Sequence, residues 1–157
     1  MDSLFVTYEK RRLEPQERRR VARGGRRGTD RSGRYPPILV ADDYEAARQA
    51  CARYLVHFHF DVLEAANGDE ALAAITSHPP HVVLTDWMLP AMPASRLSQW
   101  LGESWRTRDI PVIVLADDAE SASSHAAAAV LVKPFSMATM IAEIRRVLRA
   151  QAAASTP

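Results

Sequence analysis

Three short apolar runs in this chain each stop at a charged side chain, and that punctuation constrains the fold more than any other feature. Ile38-Leu39-Val40-Ala41 ends in the acidic pair Asp42-Asp43. His81-Val82-Val83-Leu84-Thr85 ends in Asp86, with Trp87-Met88-Leu89-Pro90 after it. Val130-Leu131-Val132 ends in Lys133-Pro134-Phe135. Segments apolar at successive positions fit strands covered on both faces, as in a parallel sheet. If these strands are parallel and adjacent, Asp42, Asp43, Asp86 and Lys133 meet at one edge of one sheet. Carboxylates clustered around a single ammonium suit a divalent cation and a phosphoryl group.

The intervening sequence alternates with these runs. Apolar residues at Tyr44, Ala47, Cys51, Tyr54, Leu55 and Phe58 have helical spacing. Residues 61–66 read as a short strand, Asn67-Gly68 as a turn signal, and Ala71, Leu72 and Ile75 as a helix closed by Pro79-Pro80. A helix follows Pro93 with Leu97, Trp100 and Leu101 on one face. Residues 111–116 are apolar at every position, as a central parallel strand requires. The stretch 119–129 is short and alanine-rich, which predicts a reduced fourth helix. Ser136 is placed to cap a last helix with the stripe Met137, Met140, Ile141, Ile144, Val147 and Leu148. Five strands alternating with helices predict an α/β fold with right-handed crossovers. Ligands of such folds bind at the carboxyl ends of the strands.

Charge divides the chain. Residues 1–35 carry ten Arg and one Lys against five acids, a net of +6, whereas residues 36–157 carry nine basic and fourteen acidic residues, a net of −5. The arm is rich in Arg and Gly and has little apolar periodicity, so it is expected to be disordered and dispensable for folding. The expected organisation is an arm over 1–35, a domain over 36–149 and a flexible tail over 150–157. The acidic domain argues against general nucleic-acid binding by its surface, leaving at most weak binding through the basic arm. The single cysteine, Cys51, fits a reducing compartment and reads as an inert core residue. No apolar run approaches the roughly 20 residues of a membrane span, and no secretory signal is evident. A cytoplasmic protein without membrane insertion is expected. The five histidines show no metal-ligand spacing, and the three tryptophans read as packing and rim residues.

The combination of Asp42-Asp43, Asp86-x-x-x-Pro90 and Lys133-Pro134-Phe135, each at a predicted strand end, resembles the receiver domain of bacterial response regulators, including single-domain receivers of the chemotaxis type. The likeness covers roughly residues 36–149. It implies a flavodoxin-like doubly wound sheet of order 2-1-3-4-5 with helices on both faces. It also implies Asp86 as phospho-acceptor, Asp43 and Asp86 as Mg²⁺ ligands, Asp42 as a second acid reaching the metal through water, and Met88 as donor of a backbone carbonyl. Lys133 would contact the phosphoryl group, and the Lys133-Pro134 bond is commonly cis in the family. The implied partners are a histidine kinase or phosphotransfer protein and an output protein of unknown identity.

The sequence departs from that family at the switch positions. Strand four ends in Ala116-Asp117, where receivers usually have a hydroxyl residue followed by a small one. Val130 stands where an aromatic often changes rotamer. The expected function is that of a stand-alone, non-enzymatic receiver in a phosphorelay, with output by protein contact. The alternative is a degenerate receiver acting as a phosphorylation-independent interaction module. A phosphatase of the haloacid dehalogenase type would need Asp-x-Asp after strand one, but Tyr44 stands two residues after Asp42.

Overall fold

The apolar runs form strands whose alternate residues feed two separate cores. In the computed structural model, which describes residues 36–122 and 127–155, the elements are β1 (Pro37–Ala41), α1 (Glu45–His57), β2 (Asp61–Ala65), α2 (Gly68–Ser77), β3 (Val82–Asp86), α3 (Ala94–Gly102), β4 (Val112–Ala116), α4 (Ala119–Ala122), β5 (Ala129–Val132) and α5 (Met137–Ala154). All pairings are parallel, in the order β2-β1-β3-β4-β5. Period-two alternation sends Ile38, Val40, Val82, Leu84, Ile113 and Leu115 to one face, against Cys51 and Leu55 of α1 and Met140 and Ile144 of α5. It sends Leu39, Ala41, Val83, Val112 and Val114 to the other face, against Ala71 and Ile75 of α2 and Leu97 and Leu101 of α3. Both faces are therefore covered, and β3 and β4 are buried along their whole lengths.

Helix ends follow local chemistry. The Ser136 hydroxyl accepts the Thr139 N–H at 3.0 Å, capping α5 as its position predicts. Asn67 is not a turn residue but the N-cap of α2. Its Oδ1 accepts the Glu70 N–H at 2.9 Å, while the Glu70 carboxylate accepts the Ala66 N–H at 2.8 Å. This near-reciprocal arrangement fixes how the chain leaves β2.

The predicted tail boundary requires correction. α5 continues past residue 149 to Ala154, with Ser155 as its C-cap. Ala150, Ala152, Ala153 and Ala154 are strong helix formers, so the helix propagates beyond its last buried contact. The predicted arm over 1–35 lies outside the described residues. So does residue 123–126 of the stretch expected to be a reduced fourth helix, whose described part is the single turn Ala119–Ala122. No helix among the described residues is long and apolar enough to cross a membrane.

Candidate functional site

The chain path reverses direction across the sheet between β1 and β3, which opens a crevice at their carboxyl ends. Asp42 follows β1 there, and Asp86 is the last residue of β3. Register pairs Ala41 with Thr85, so the next residue of each strand is one of these acids. Both are buried, Asp42 with 2% and Asp86 with 4% of its surface exposed, whereas Asp43 is exposed. One carboxylate oxygen from each of Asp42, Asp43 and Asp86 lies within 4.8 Å of the others. Lys133 arrives from β5. Its amide donates to the Ala116 carbonyl at 2.8 Å, and its Nζ donates to Asp86 Oδ1 at 2.5 Å. The Lys133-Pro134 peptide is cis. Sequence-distant strand ends thus bring all four predicted side chains to one place.

Burial sets the electrostatics. It pushes the Asp42 carboxyl up to about 6. The Tyr44 N–H, donating to Asp42 Oδ1 at 2.8 Å, opposes that rise. The Asp86 charge adds to it, the Lys133 ammonium works against it, and the Asp43 charge adds further. One ammonium faces three carboxylates, so the cluster carries excess negative charge at neutral pH. Its oxygen-only donors and their separation suit a hard divalent ion such as Mg²⁺, which neutralises that charge when bound.

Neighbouring loops hold this geometry. Arg48 donates through Nη1 to the Asp42 carbonyl at 2.7 Å and through Nε to Glu64 Oε2 at 3.3 Å, tying the end of β1 to β2. The Trp87 amide donates to the Leu115 carbonyl at 2.9 Å, and Ala94 donates to the Trp87 carbonyl at 3.1 Å. The loop between β3 and α3, which carries the exposed Met88, is therefore anchored at both ends. Ala91 within it takes φ of 67°. Gly68 clasps the loop from the side, its amide donating to the Pro90 carbonyl at 2.8 Å. Arg48 and Gly68 carry no sequence signal for this work, since their partners lie 16 and 22 positions away.

The expected departures also find their places. Ala116 ends β4 fully buried beside Val132 and presents only a methyl group. Asp117 is exposed, with Oδ1 3.9 Å from Lys133 Nζ. Val130 is half-buried in the core on the α2/α3 face. Cys51 is buried, and desolvation pushes its thiol up to about 12, in keeping with an inert core residue. Trp87 and Trp100 pack against the core, whereas Trp105 is 77% exposed.

Fold and site define a doubly wound α/β signalling module with an acid-and-lysine crevice at its switch point. The chain belongs to the response regulator receiver domain family, whose model matches residues 38–145. Among its relatives is the phosphate regulon transcriptional regulatory protein PhoB of Pseudomonas aeruginosa, 33% identical over 117 residues, covering 71% of this chain and 51% of the relative. The chain therefore spans about half the length of that relative. The chemotaxis response regulator CheY4 of Vibrio cholerae has the same fold, with TM-score 0.67, 24% identity and coverage of 72% of this chain and 98% of that one. A receiver-modulated diguanylate cyclase from Pelobacter carbinolicus matches with TM-score 0.65, 28% identity and coverage of 76% and 97%. Receivers are signalling modules that engage histidine kinases or phosphotransfer proteins, rather than classical enzymes.

Proposed function

We propose that this receiver accepts a phosphoryl group on Asp86 from a histidine kinase or phosphotransfer protein and passes its output by protein contact. The observation that carries the reading is the direct Lys133–Asp86 contact inside a three-carboxylate cluster. An Asp86 oxygen attacks the phosphorus of a donor phosphohistidine. The O–P bond forms as the P–N bond breaks, and the imidazole leaves with the bonding electron pair. Lys133 transfers its ammonium contact from the carboxylate to a phosphoryl oxygen, stabilising charge where it develops. Asp43 and Asp86 would ligate Mg²⁺ directly, Asp42 through water, and Met88 would add its backbone carbonyl. The metal supplies charge neutralisation at the transferring group.

Intact mass after incubation with Mg²⁺ and a small phosphodonor tests this. One phosphoryl adduct is expected on the wild type, and none on Asp86→Asn or in excess chelator. An adduct that survives the substitution sinks the assignment.

Two positions favour a weakened response to that modification. In the usual receiver switch, a strand-four hydroxyl moves to the phosphoryl group and an aromatic follows inward. Ala116 cannot make that bond, which as a hydrogen bond to a charged group is worth roughly 1.5–3 kcal/mol. That is enough to shift a two-state equilibrium about tenfold or more. Val130 offers no ring to move, and Asp117 sets a carboxylate near the anionic product. With beryllofluoride and Mg²⁺, amide shift changes are expected near Asp43 and Asp86 and to be small over β4 and β5. Large changes there with tight binding restore the ordinary switch. Absence of binding favours the second reading, a phosphorylation-independent interaction module.

A further inference from the structure

The fold sorts charge between the two ends of the sheet. Helices α1, α3 and α5 run back against the strands, so their carboxyl-terminal halves and following loops gather at the amino-terminal strand ends, opposite the acid crevice. Six of the nine cationic residues of 36–157 lie there: Arg53, Arg106, Arg108, Arg145, Arg146 and Arg149. Only four of the fourteen acids accompany them. All six arginines are exposed, as are His57, His59, His78 and His81 at the same end. Two of the six have acidic neighbours: Arg146 pairs with Glu143 at 2.9 Å, and Arg108 lies 3.9 Å from Asp109. Long-range contacts join this end into one surface. Gln151 donates to the Asp109 carbonyl at 3.0 Å, Arg146 donates to the Ala128 carbonyl at 3.2 Å, and the Arg145 guanidinium sits 5.7 Å from the Phe58 ring centroid. β1 also begins at this end, where the Pro37 carbonyl accepts the His81 amide at 2.8 Å.

Trp105 stands on this surface in a braced loop. The buried Thr107 hydroxyl donates to the Leu101 carbonyl at 2.8 Å, and the Arg108 amide donates to the Ser104 carbonyl at 2.9 Å. Arg106 places its guanidinium 5.8 Å from the Trp105 ring centroid. We propose that this pole, centred on Trp105, binds single-stranded nucleic acid, with the indole stacking on a base and the arginines following the phosphates. The cations favour this ligand over an anionic lipid surface. All six pole residues are Arg, whose planar guanidinium forks onto phosphate and stacks on bases, whereas a lipid surface asks only for point charge. The acid crevice at the far end keeps its negative charge away from the bound backbone.

Anisotropy titrations of the full chain with labelled oligouridylate, oligothymidylate and a mixed-sequence duplex, at low and moderate salt, test the proposal. Flotation with phosphatidylcholine/phosphatidylserine vesicles runs alongside. Single strands are expected to bind more tightly than the duplex. Trp105→Ala should weaken them by roughly fivefold to 150-fold, the range for loss of one base–aromatic stack. Joint Arg106→Gln and Arg108→Gln replacement should lower the slope of log affinity against log salt by about 1 or more. Arg96→Gln, at the opposite end, should bind as wild type. A preference between uridylate and thymidylate identifies RNA or DNA as the source, and either supports the proposal. Wild-type affinity in the Trp105 and Arg106/Arg108 variants would overturn it, assigning any binding to the arm alone. Failure to bind single strands, with or without capture by vesicles, overturns it equally.

Discussion

Gly68→Ala is expected to destabilise the domain by about 2–3 kcal/mol, although alanine is the better helix former. Gly68 is the first residue of α2 and is fully enclosed. A Cβ there would overlap Met92 Cβ and lie 2.8 Å from the Met92 amide nitrogen. The obstruction includes backbone, so no rotamer change relieves it, and either the start of α2 or the 87–93 loop must move. The gain in intrinsic propensity, up to about 1 kcal/mol, is smaller than the usual cost of overpacking. Movement would also strain the Gly68 amide bond to Pro90 and disturb the loop carrying Met88. Urea unfolding read by far-UV circular dichroism checks the stability change. A variant of wild-type stability would mean that the loop yields freely. On the proposed metal reading, Mg²⁺-dependent stabilisation should shrink in the same variant.

Strand positions were legible because both sheet faces are covered, so each strand is a continuous apolar run that stops where the sheet ends. The same rule placed Asp86 and Lys133, since a charge at the end of a buried strand interrupts an otherwise apolar pattern. Order was not legible in this way. Nothing in Ile38–Ala41 or Val82–Asp86 states that β1 and β3 are neighbours, and that order entered through family resemblance. Contacts between loops were also hidden. Asn67-Gly68 has the composition of a turn, and only the approach of Met92 and Pro90 shows why glycine follows the cap. The end of α5 is hidden from the pattern for another reason. Its apolar stripe stops at Leu148, but a run of alanines needs no buried face to remain helical once the helix is nucleated. Trp105 and the arginines of the opposite pole come from three separate segments, and topology alone brings them to one end.

Asp42→Asn is expected to stabilise the metal-free domain by about 2–3 kcal/mol near neutral pH. The wild-type carboxyl is held up to about 6 in the folded state against an ordinary value of 3.8. Below about pH 3 the group is protonated in both states and exacts no penalty. As pH rises through roughly 4 to 6, the unfolded chain releases the proton first, and folding stability falls. Above about pH 6 the folded protein carries a buried, ionised Asp42 at a cost of about 3 kcal/mol, from about 1.36 kcal/mol per pKa unit. Asparagine retains an oxygen for the Tyr44 amide and offers its NH₂ to the neighbouring carboxylates, so the substitution removes the charge without orphaning that donor. In chelator, the variant should therefore unfold at higher urea than wild type near about pH 7.5, and the two should converge near about pH 3. Equal stability near neutral pH would mean that solvent already screens Asp42. Saturating Mg²⁺ should narrow the difference, because a cation bound to the folded state alone adds about 2.7 kcal/mol at 100 times its dissociation constant. On the proposed metal reading, the wild type, with the fuller carboxylate set, should gain more from that ion than the variant does. On that reading, an acid that weakens the metal-free fold would thereby tie folding to cation binding.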